Sequence, residues 1–215
     1  MNNDKILIIA PHPDDDVLAC CGIMARFGKN CDVMCLNSSG FQAPYEQCAD
    51  TRIREFKNVM RFFNIHKFWI WKIYGPAPNI DQMTNFIPDY VKCTNFKQYK
   101  HIFIPCRHDE HVEHRFIANT IVPKLLRDNR APGGKIYEYM VWGKSDVKPN
   151  ISFWSNPFIK RKALRLYSSR NQQVLMKLAR LNRLIPACRE YFLCTNITDF
   201  LNKANDMGGK HEKIS

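Results

Sequence analysis

Ile6-Leu7-Ile8-Ile9-Ala10-Pro11-His12-Pro13-Asp14-Asp15-Asp16 is the stretch on which the fold turns. A short apolar run closed by proline and then by acids reads as a buried strand, of the kind that sits inside a parallel sheet. Val17–Phe27 then suits a helix, with acids at its start where the helix dipole favours them. The same alternation continues outward. Cys31–Leu36 reads as a second strand ending in the polar loop Asn37–Gly40, and Asp50–Phe63 has helical spacing, with Phe56, Val59, Met60 and Phe63 on one face. Lys67–Ile73 is a third strand; Pro76 and Pro78 break the chain after it, and a helix is expected around Ile80–Cys93. His101–Ile104 is a fourth strand, a helix begins near His111 and runs to about Leu126, and Ile136–Trp142 is a strand again. From about Pro157 the chain reads as helical and basic through Leu184, then as a strand near Glu190–Cys194. Strands alternating with helices predict an α/β, Rossmann-like fold, a mainly parallel sheet flanked by helices. The 215 residues fit a single domain over 1–215, with a frayed polar tail over 208–215.

Composition narrows the function classes. The apolar share of 45% is that of a globular chain. No apolar run approaches the ~20 residues of a membrane helix. Ile6–Ala10 is too short for a signal-peptide core of roughly 7–15 residues. A soluble, cytoplasmic protein without a transmembrane segment is the expectation. Nine cysteines are an odd number and form no Cys-x-x-Cys pair, which argues for reduced thiols over a disulfide framework or a cysteine-rich zinc site. Cys20 and Cys21 read as core residues. The net charge is +12, and from Lys160 to Arg183 there are eight basic residues and no acid. That stretch is either a solvated helical surface or a patch attracting a phosphate-bearing substrate, an anionic membrane or nucleic acid. No helix-turn-helix, zinc-finger or RNA-binding signature accompanies it, so no specific nucleic-acid partner is expected.

In open α/β sheets, sites gather beyond the C-terminal ends of the strands. Two predicted strands end there in metal-binding residue types: His12-Pro13-Asp14-Asp15-Asp16 after the first, and His108-Asp109-Glu110-His111-Val112-Glu113-His114-Arg115 after His101–Ile104. Two histidines and a carboxylate, with one position left open, form a known catalytic zinc arrangement. A spare carboxylate beside it can act as general base and a spare imidazole can stabilise an oxyanion. Alone, the three aspartates read more readily as a helix-capping run, and His111 and His114 more clearly still as surface residues; the coincidence of both clusters at strand ends is what carries weight.

These two clusters resemble the signatures of the LmbE-like, or PIG-L-like, N-acetylglucosaminyl deacetylases. The first, His-Pro-Asp-Asp-Glu running into a Gly-rich helix start, stands here as His12-Pro13-Asp14-Asp15-Asp16 followed by Val17 to Gly22; the second, His-Pro-Asp-His-Arg, as His111-Val112-Glu113-His114-Arg115. Arg52 and Glu55 match an Arg-x-x-Glu pattern between them, and Lys160-Arg161-Lys162-Ala163 and Tyr167-Ser168-Ser169-Arg170 look similar to a late Lys-x-x-Ala and Tyr-x-Ser-Gln. The resemblance spans residues 5 to about 192, with only the first two motifs specific.

The resemblance implies Zn2+ held by His12, Asp15 and His114, with another divalent ion such as Fe2+ as an alternative. It implies Asp14 as the general base toward water, and His111 as the charged partner of the oxyanion or the acid for the leaving amine. Asp16 and Glu113 become supporting carboxylates, Glu113 orienting His111, and Arg52 a residue that holds the sugar. Asp16 replaces the family's Glu, Glu113 its Asp, Val112 its Pro and Arg170 its Gln. The substrate expected is an N-acetylated sugar or conjugate of N-acetylglucosamine type, a phosphate-bearing form being one option. Two rival readings stand beside it: a metal-binding protein with little turnover that holds an anionic glycan, and a hydrolase of another amide or of a phosphoester.

Overall fold

The structure, a computed structural model, describes residues 1, 3–76, 78–128, 133–143, 148–170 and 189–208, with side chains through 205. Five parallel strands form its centre: β1 (Lys5–Ala10), β2 (Cys31–Cys35), β3 (Lys67–Ile70), β4 (Tyr99–Pro105) and β5 (Lys135–Tyr139). β6 (Ile151–Trp154) and β7 (Arg189–Asn196) extend them, each antiparallel to its neighbour, giving the order β3-β2-β1-β4-β5-β7-β6. The α/β, mainly parallel expectation is borne out.

β1 shows why the sheet sits in the middle. Its residues are apolar on both faces, so Ile6 and Ile8 pack into one core while Leu7 and Ile9 pack into the other. The first core is covered by α1 (Asp15–Phe27), α2 (Tyr45–Phe62) and, later in the chain, Ala163 and Leu164. The second is covered by α3 (Ile80–Asn85), α4 (Ile87–Cys93), α5 (Val112–Phe116) with its continuation, and α6 (Val122–Asp128). α7 (Pro157–Arg165) joins the first layer and α8 (Ile197–Gly208) the second. Cys20 and Cys21 are buried in the first core, where burial pushes the Cys21 thiol up to about 12.

Several boundaries differ from expectation, and each difference has a local cause. β3 ends at Ile70 rather than Ile73, because Trp71 and Ile73 turn their carbonyls to the backbone of Ser38 and Gly40. β5 ends at Tyr139 rather than Trp142, because Val141 and Trp142 donate instead to the Asp109 carboxylate. The helix expected over 80–93 divides at Phe86, with Pro88 in the first turn of α4. The helix after His111 contains a π-helical segment, Ile117–Ile121. α7 stops at Arg165, well short of Leu184, and the next residues carry Tyr167–Arg170 back toward β1; residues 171–188, and the tail beyond 208, lie outside the described residues. β6 and α8 were not expected: four residues give little period to read, and α8 follows β7 directly.

α1 is interrupted at Cys20 (φ −124°, ψ 19°). The Leu18 carbonyl and the Gly22 N–H, i and i+4 partners in an unbroken helix, are taken by other groups. Lys160 Nζ donates to Leu18 O at 2.7 Å and Gly22 N donates to Glu190 Oε2 at 2.9 Å, while Lys160 and Glu190 pair at 2.8 Å. A buried ion pair is thus inserted into the helical ladder, a recognised cause of a kink. Gly22 is required here: a Cβ would stand 2.3 Å from the Trp154 carbonyl oxygen.

Candidate metal centre

β1 and β4 are neighbours, but the chain proceeds from β1 to β2 on one side and reaches β4 on the other, so their C-terminal ends flank the switch point of the sheet. Ligand sites form in the crevice that such a reversal leaves. His12–Asp16 follows β1 into α1, and Asp109–His114 follows β4 into α5.

There, His12 Nδ1, Asp15 Oδ2 and His114 Nε2 face one another. His12 Nδ1 is 3.2 Å from Asp15 Oδ2, His114 Nε2 is 3.2 Å from the same oxygen, and the two nitrogens are 3.4 Å apart. All three residues are buried. Zinc bonds of about 2.0–2.1 Å in tetrahedral geometry place ligand atoms roughly 3.3 Å apart, so the three donors stand at the spacing such an ion demands. The electrostatics agree. Burial opposes charge on His114, yet Asp15 and Asp109 outweigh it and push its pKa up to about 10. Burial likewise opposes ionised Asp15, but His114 and His12 hold it well below the usual carboxylate range. The carboxylates therefore favour a positive charge at this point, which a divalent cation supplies.

The three aspartates, readable as a capping run, do three separate things, and the α1 N-cap has no side-chain hydrogen bond. Asp15 faces the histidines. Asp16 accepts from the Asp14 N–H at 3.1 Å and from the Tyr167 hydroxyl at 2.9 Å, and burial raises its pKa to about 7. Asp14, with φ +117° in a region where a non-glycine residue is strained, turns its carboxylate to Arg170 Nε at 2.7 Å and Arg52 Nη2 at 3.4 Å.

Arg52 is fully buried and also bonds the Pro13 carbonyl, so the structure places it beneath the loop. The guanidinium that reaches the cavity is that of Arg170. Glu55, one helical turn from Arg52 on α2, accepts from Ser168 Oγ (2.8 Å), Ser169 N (2.7 Å) and Ser169 Oγ (2.6 Å). The Arg-x-x-Glu pair thereby ties the β1 loop to residues 167–170. Lys160, read as part of a basic surface, is instead buried.

Glu113 hydrogen-bonds His12 rather than His111, although the three form a second group whose ligand atoms lie within 4.8 Å of one another. Its Oε2 is 2.5 Å from His12 Nε2 and its Oε1 accepts from the Asn79 N–H at 2.5 Å. Burial opposes its ionisation, but these contacts bring its pKa down to about 2. With its other ring nitrogen on a carboxylate, His12 has the supporting partner that metal-binding histidines usually carry. His111 has no such carboxylate: its Nδ1 is buried without a hydrogen-bond partner. Burial, followed by the charges of His12 and His114, pushes its pKa down to about 4. In the metal-free chain both causes favour the uncharged ring, whereas the resemblance implies a charged one.

One supporting residue went unassigned in the sequence. Asp109 is fully buried, with Oδ2 3.3 Å from His114 Nδ1 and accepting from Val141 N (2.9 Å) and Trp142 N (3.1 Å), and Oδ1 accepting from His111 N (2.9 Å). It joins the β4 loop to the end of β5 and faces the second histidine of the triangle. Nothing in its spacing distinguishes it from Glu110.

A cavity of ≈ 230 Å³ opens over these groups, lined among others by Asp14, His111, Phe41, Trp142 and Arg170. It is smaller than the roughly 300–1,000 Å³ of pockets for drug-sized ligands, which fits one small ring or acyl group. A larger depression of ≈ 500 Å³, between Arg26–Asn30 and Phe63 at the opposite end of the sheet, contains no histidine or carboxylate.

This topology, with a buried His–Asp–His group at the switch point that could hold a metal ion, defines a Rossmann-like α/β protein. The chain belongs to the family described as PIG-L: GlcNAc-PI de-N-acetylase, which matches residues 7–124, more than half its length. No curated protein matches the chain. Among solved structures, the N,N'-diacetylchitobiose deacetylase of Pyrococcus horikoshii is similar with a TM-score of 0.65 and 19% identity, covering 89% of this chain and 84% of that one. A teicoplanin deacetylase, Orf2, in its zinc-inhibited form gives 0.59 and 14% identity over 89% and 97% of the chains. GalB, the 4-carboxy-2-hydroxymuconate hydratase of Pseudomonas putida KT2440, gives 0.58 and 12% identity over 90% and 96%. Two chemistries on one architecture mean that the fold by itself does not name the reaction.

Proposed function

We propose that the chain hydrolyses the acetamide of an N-acetylated sugar, with a divalent metal, zinc by preference, held by His12, Asp15 and His114. The observation that carries this reading is the triangle of their donor atoms at 3.2–3.4 Å beneath the cavity. Family membership and the deacetylases among its structural relatives support the choice of reaction. A metal in this position lowers the pKa of water toward ~7 and polarises a carbonyl.

The chain's own residues supply the remainder. Asp14 lines the cavity with both arginine contacts on Oδ2, so its carboxylate is fixed in direction; it takes the proton as water oxygen bonds the acetamide carbon. His111, neutral and at the mouth, offers an N–H to the carbonyl oxygen as negative charge develops. When the C–N bond breaks, the proton on Asp14 passes to the leaving nitrogen, giving acetate and a free sugar amine. Phe41 and Trp142 give the sugar ring apolar walls, and a preference for phosphate-bearing sugars runs through Arg170, since Arg52 is buried.

The test is metal content together with acetate release from N-acetylated sugars, for wild type and Asp14→Asn. The expected result is stoichiometric metal in both proteins, with turnover falling by roughly 100-fold or more in the variant. Full activity in Asp14→Asn removes that residue as base. Metal without acetate from any sugar favours another amide or a hydration like that of the GalB relative, and no metal at all overturns the reading.

A further inference from the structure

Three buried side-chain nitrogens under the loop that follows β1 have no hydrogen-bond partner among the described residues: Arg52 Nε, Arg52 Nη1 and Asn37 Nδ2. Both residues are buried, and both hold that loop from below. Arg52 Nη2 bonds the Pro13 carbonyl, and the Asn37 N–H bonds the Pro11 carbonyl at 3.0 Å. The Asn37 amide is fixed in sense, because its Oδ1 accepts from the Ser39 N–H at 2.6 Å and Nδ2 is therefore the orphan. Buried polar groups are almost always paired, and a buried guanidinium with two nitrogens unpaired is a costly exception.

All three atoms are donors only, and the acceptors around them are engaged. The Pro11 carbonyl takes the Asn37 N–H and faces Cys35 Sγ at 4.0 Å, the Asn37 carbonyl takes the same thiol at 3.5 Å, and Pro13 takes Arg52 itself. Asp15 faces the histidines and Asp16 the Tyr167 hydroxyl. Asp14 Oδ2 is shared by Arg52 Nη2 and Arg170 Nε, so two guanidiniums divide one carboxylate. The Phe41 ring, 5.7 Å from the Arg52 Cζ and 5.1 Å from that of Arg170, offers them a π face and no charge. A water among these donors would have to compete for engaged acceptors with its own hydrogens. A halide accepts several N–H groups, donates none, and balances the second guanidinium.

We propose that Arg52 and Asn37 bind a small monovalent anion, of which chloride is the type, beneath the Pro11–Pro13 segment, and that this anion holds Arg52 in the orientation that directs Asp14. Asp14 stands at φ +117°, in strained backbone, and Arg52 bonds both its carboxylate and the carbonyl just before it. The guanidinium is a rigid plane. An anion on Nε and Nη1 fixes that plane, and with it the direction in which Nη2 meets the loop. Arg52 is then a positioning residue, and the anion touches no substrate. Only the effect on turnover rests on the deacetylase reading; binding of the anion does not.

The test titrates the full chain, prepared in sodium gluconate, with sodium chloride at constant ionic strength while Tm is followed. A saturating rise of about 2–4 °C is expected at about five times the half-saturating concentration. Asn37→Asp keeps the acceptor for Ser39 and sets a carboxylate beside Arg52, so its Tm should not respond to chloride. Crystals of the wild type grown in sodium bromide should show an anomalous peak within hydrogen-bond reach of Arg52 Nε or Nη1, a readout that needs no variant. Acetate release by the metal-loaded wild type should rise with chloride over the same range as Tm. A wild-type Tm indifferent to chloride, an unchanged response in folded Asn37→Asp, or a water without anomalous signal at Arg52 overturns the site. Acetate release that stays constant while chloride saturates the melt overturns the positioning role. Bromide at Arg52 with no acetate from any sugar leaves the anion site standing and counts against the deacetylase reading alone.

Discussion

Two fully buried ionic clusters lie on either side of the start of α1, and they are built differently. Lys160 and Glu190 are closed: the ammonium bonds Glu190 and the Leu18 carbonyl, and the carboxylate bonds Lys160 and the Gly22 N–H. Charge and hydrogen bonds are both satisfied within the protein. The His12–Asp15–His114 cluster is open. Its donor atoms converge on one another, with Glu113 and Asp109 as further carboxylates behind the rings, so it has an excess of negative charge and lone pairs around one point. A closed cluster holds a helix in place; an open one is a site. Burial alone does not separate the two.

The sharpest way to break that comparison is to remove one member of each. His114→Ala takes away one of three donors, and metal binding and turnover should both fall to background while the fold persists, as read by metal analysis and circular dichroism. Lys160→Ala leaves Glu190 as an unpaired buried carboxylate, a loss of about 3–5 kcal/mol in unfolding free energy by denaturant titration. Its metal stoichiometry, measured under conditions where it remains folded, should be unchanged. If Lys160→Ala lost metal in the folded state, or His114→Ala unfolded the chain, the division between closed and open would be wrong.

Asp109 tests how far the open cluster extends. Asp109→Asn keeps an acceptor for the backbone of Val141 and Trp142 but removes the charge beside His114 and the acceptor of the His111 N–H. Supporting carboxylates of metal-binding histidines are typically worth 10–100-fold in metal affinity. A weakening within that range is expected by competition with a chelator, with a loss of stability in the metal-free protein of no more than about 1–3 kcal/mol from the His111 N–H left without its acceptor. A loss of stability without any loss of affinity would make Asp109 part of the scaffold only.

How much of this was legible in the sequence depended on whether a residue's task is local. β1 and the cluster directly after it could be read because an apolar run and its closing residues are contiguous, and the second cluster because it repeats that arrangement after β4. Lys160 could not be read. In sequence it is one cation among eight, and only the approach of Glu190, thirty residues away, explains its burial. The surroundings of Arg52 could not be read for the same reason: α2 places it under the β1 loop, and its spacing from Glu55 does not say which loop each will hold. Glu113 is a matter of reach. Whether it meets His12 or His111 is settled by packing across two loops, which no one-dimensional pattern encodes.

Asp16 supplies the intermediate case, and with it the smallest effect. It is as buried as Asp15 and Glu190, but it has neither a cationic partner nor imidazoles; its contacts are the Tyr167 hydroxyl and the Asp14 N–H. Burial therefore prevails, and the carboxyl's pKa rises from the ordinary 3.8 to about 7. A group whose folded pKa lies above its unfolded value contributes stability that is complete below the unfolded pKa and is lost as pH rises through the folded one. Metal-free wild type should thus lose stability between about pH 4 and pH 7, whereas Asp16→Asn, with a neutral side chain of nearly the same shape, should not carry this slope. The difference between the two unfolding free energies should widen across that interval by no more than ~4 kcal/mol. Adding metal provides the finer test. A cation held by the adjacent Asp15 favours ionised Asp16, so the wild-type slope should flatten on loading while that of Asp16→Asn stays the same. Parallel slopes in the metal-free proteins would mean that Asp16 ionises without cost and that the Tyr167 contact suffices to close its cluster.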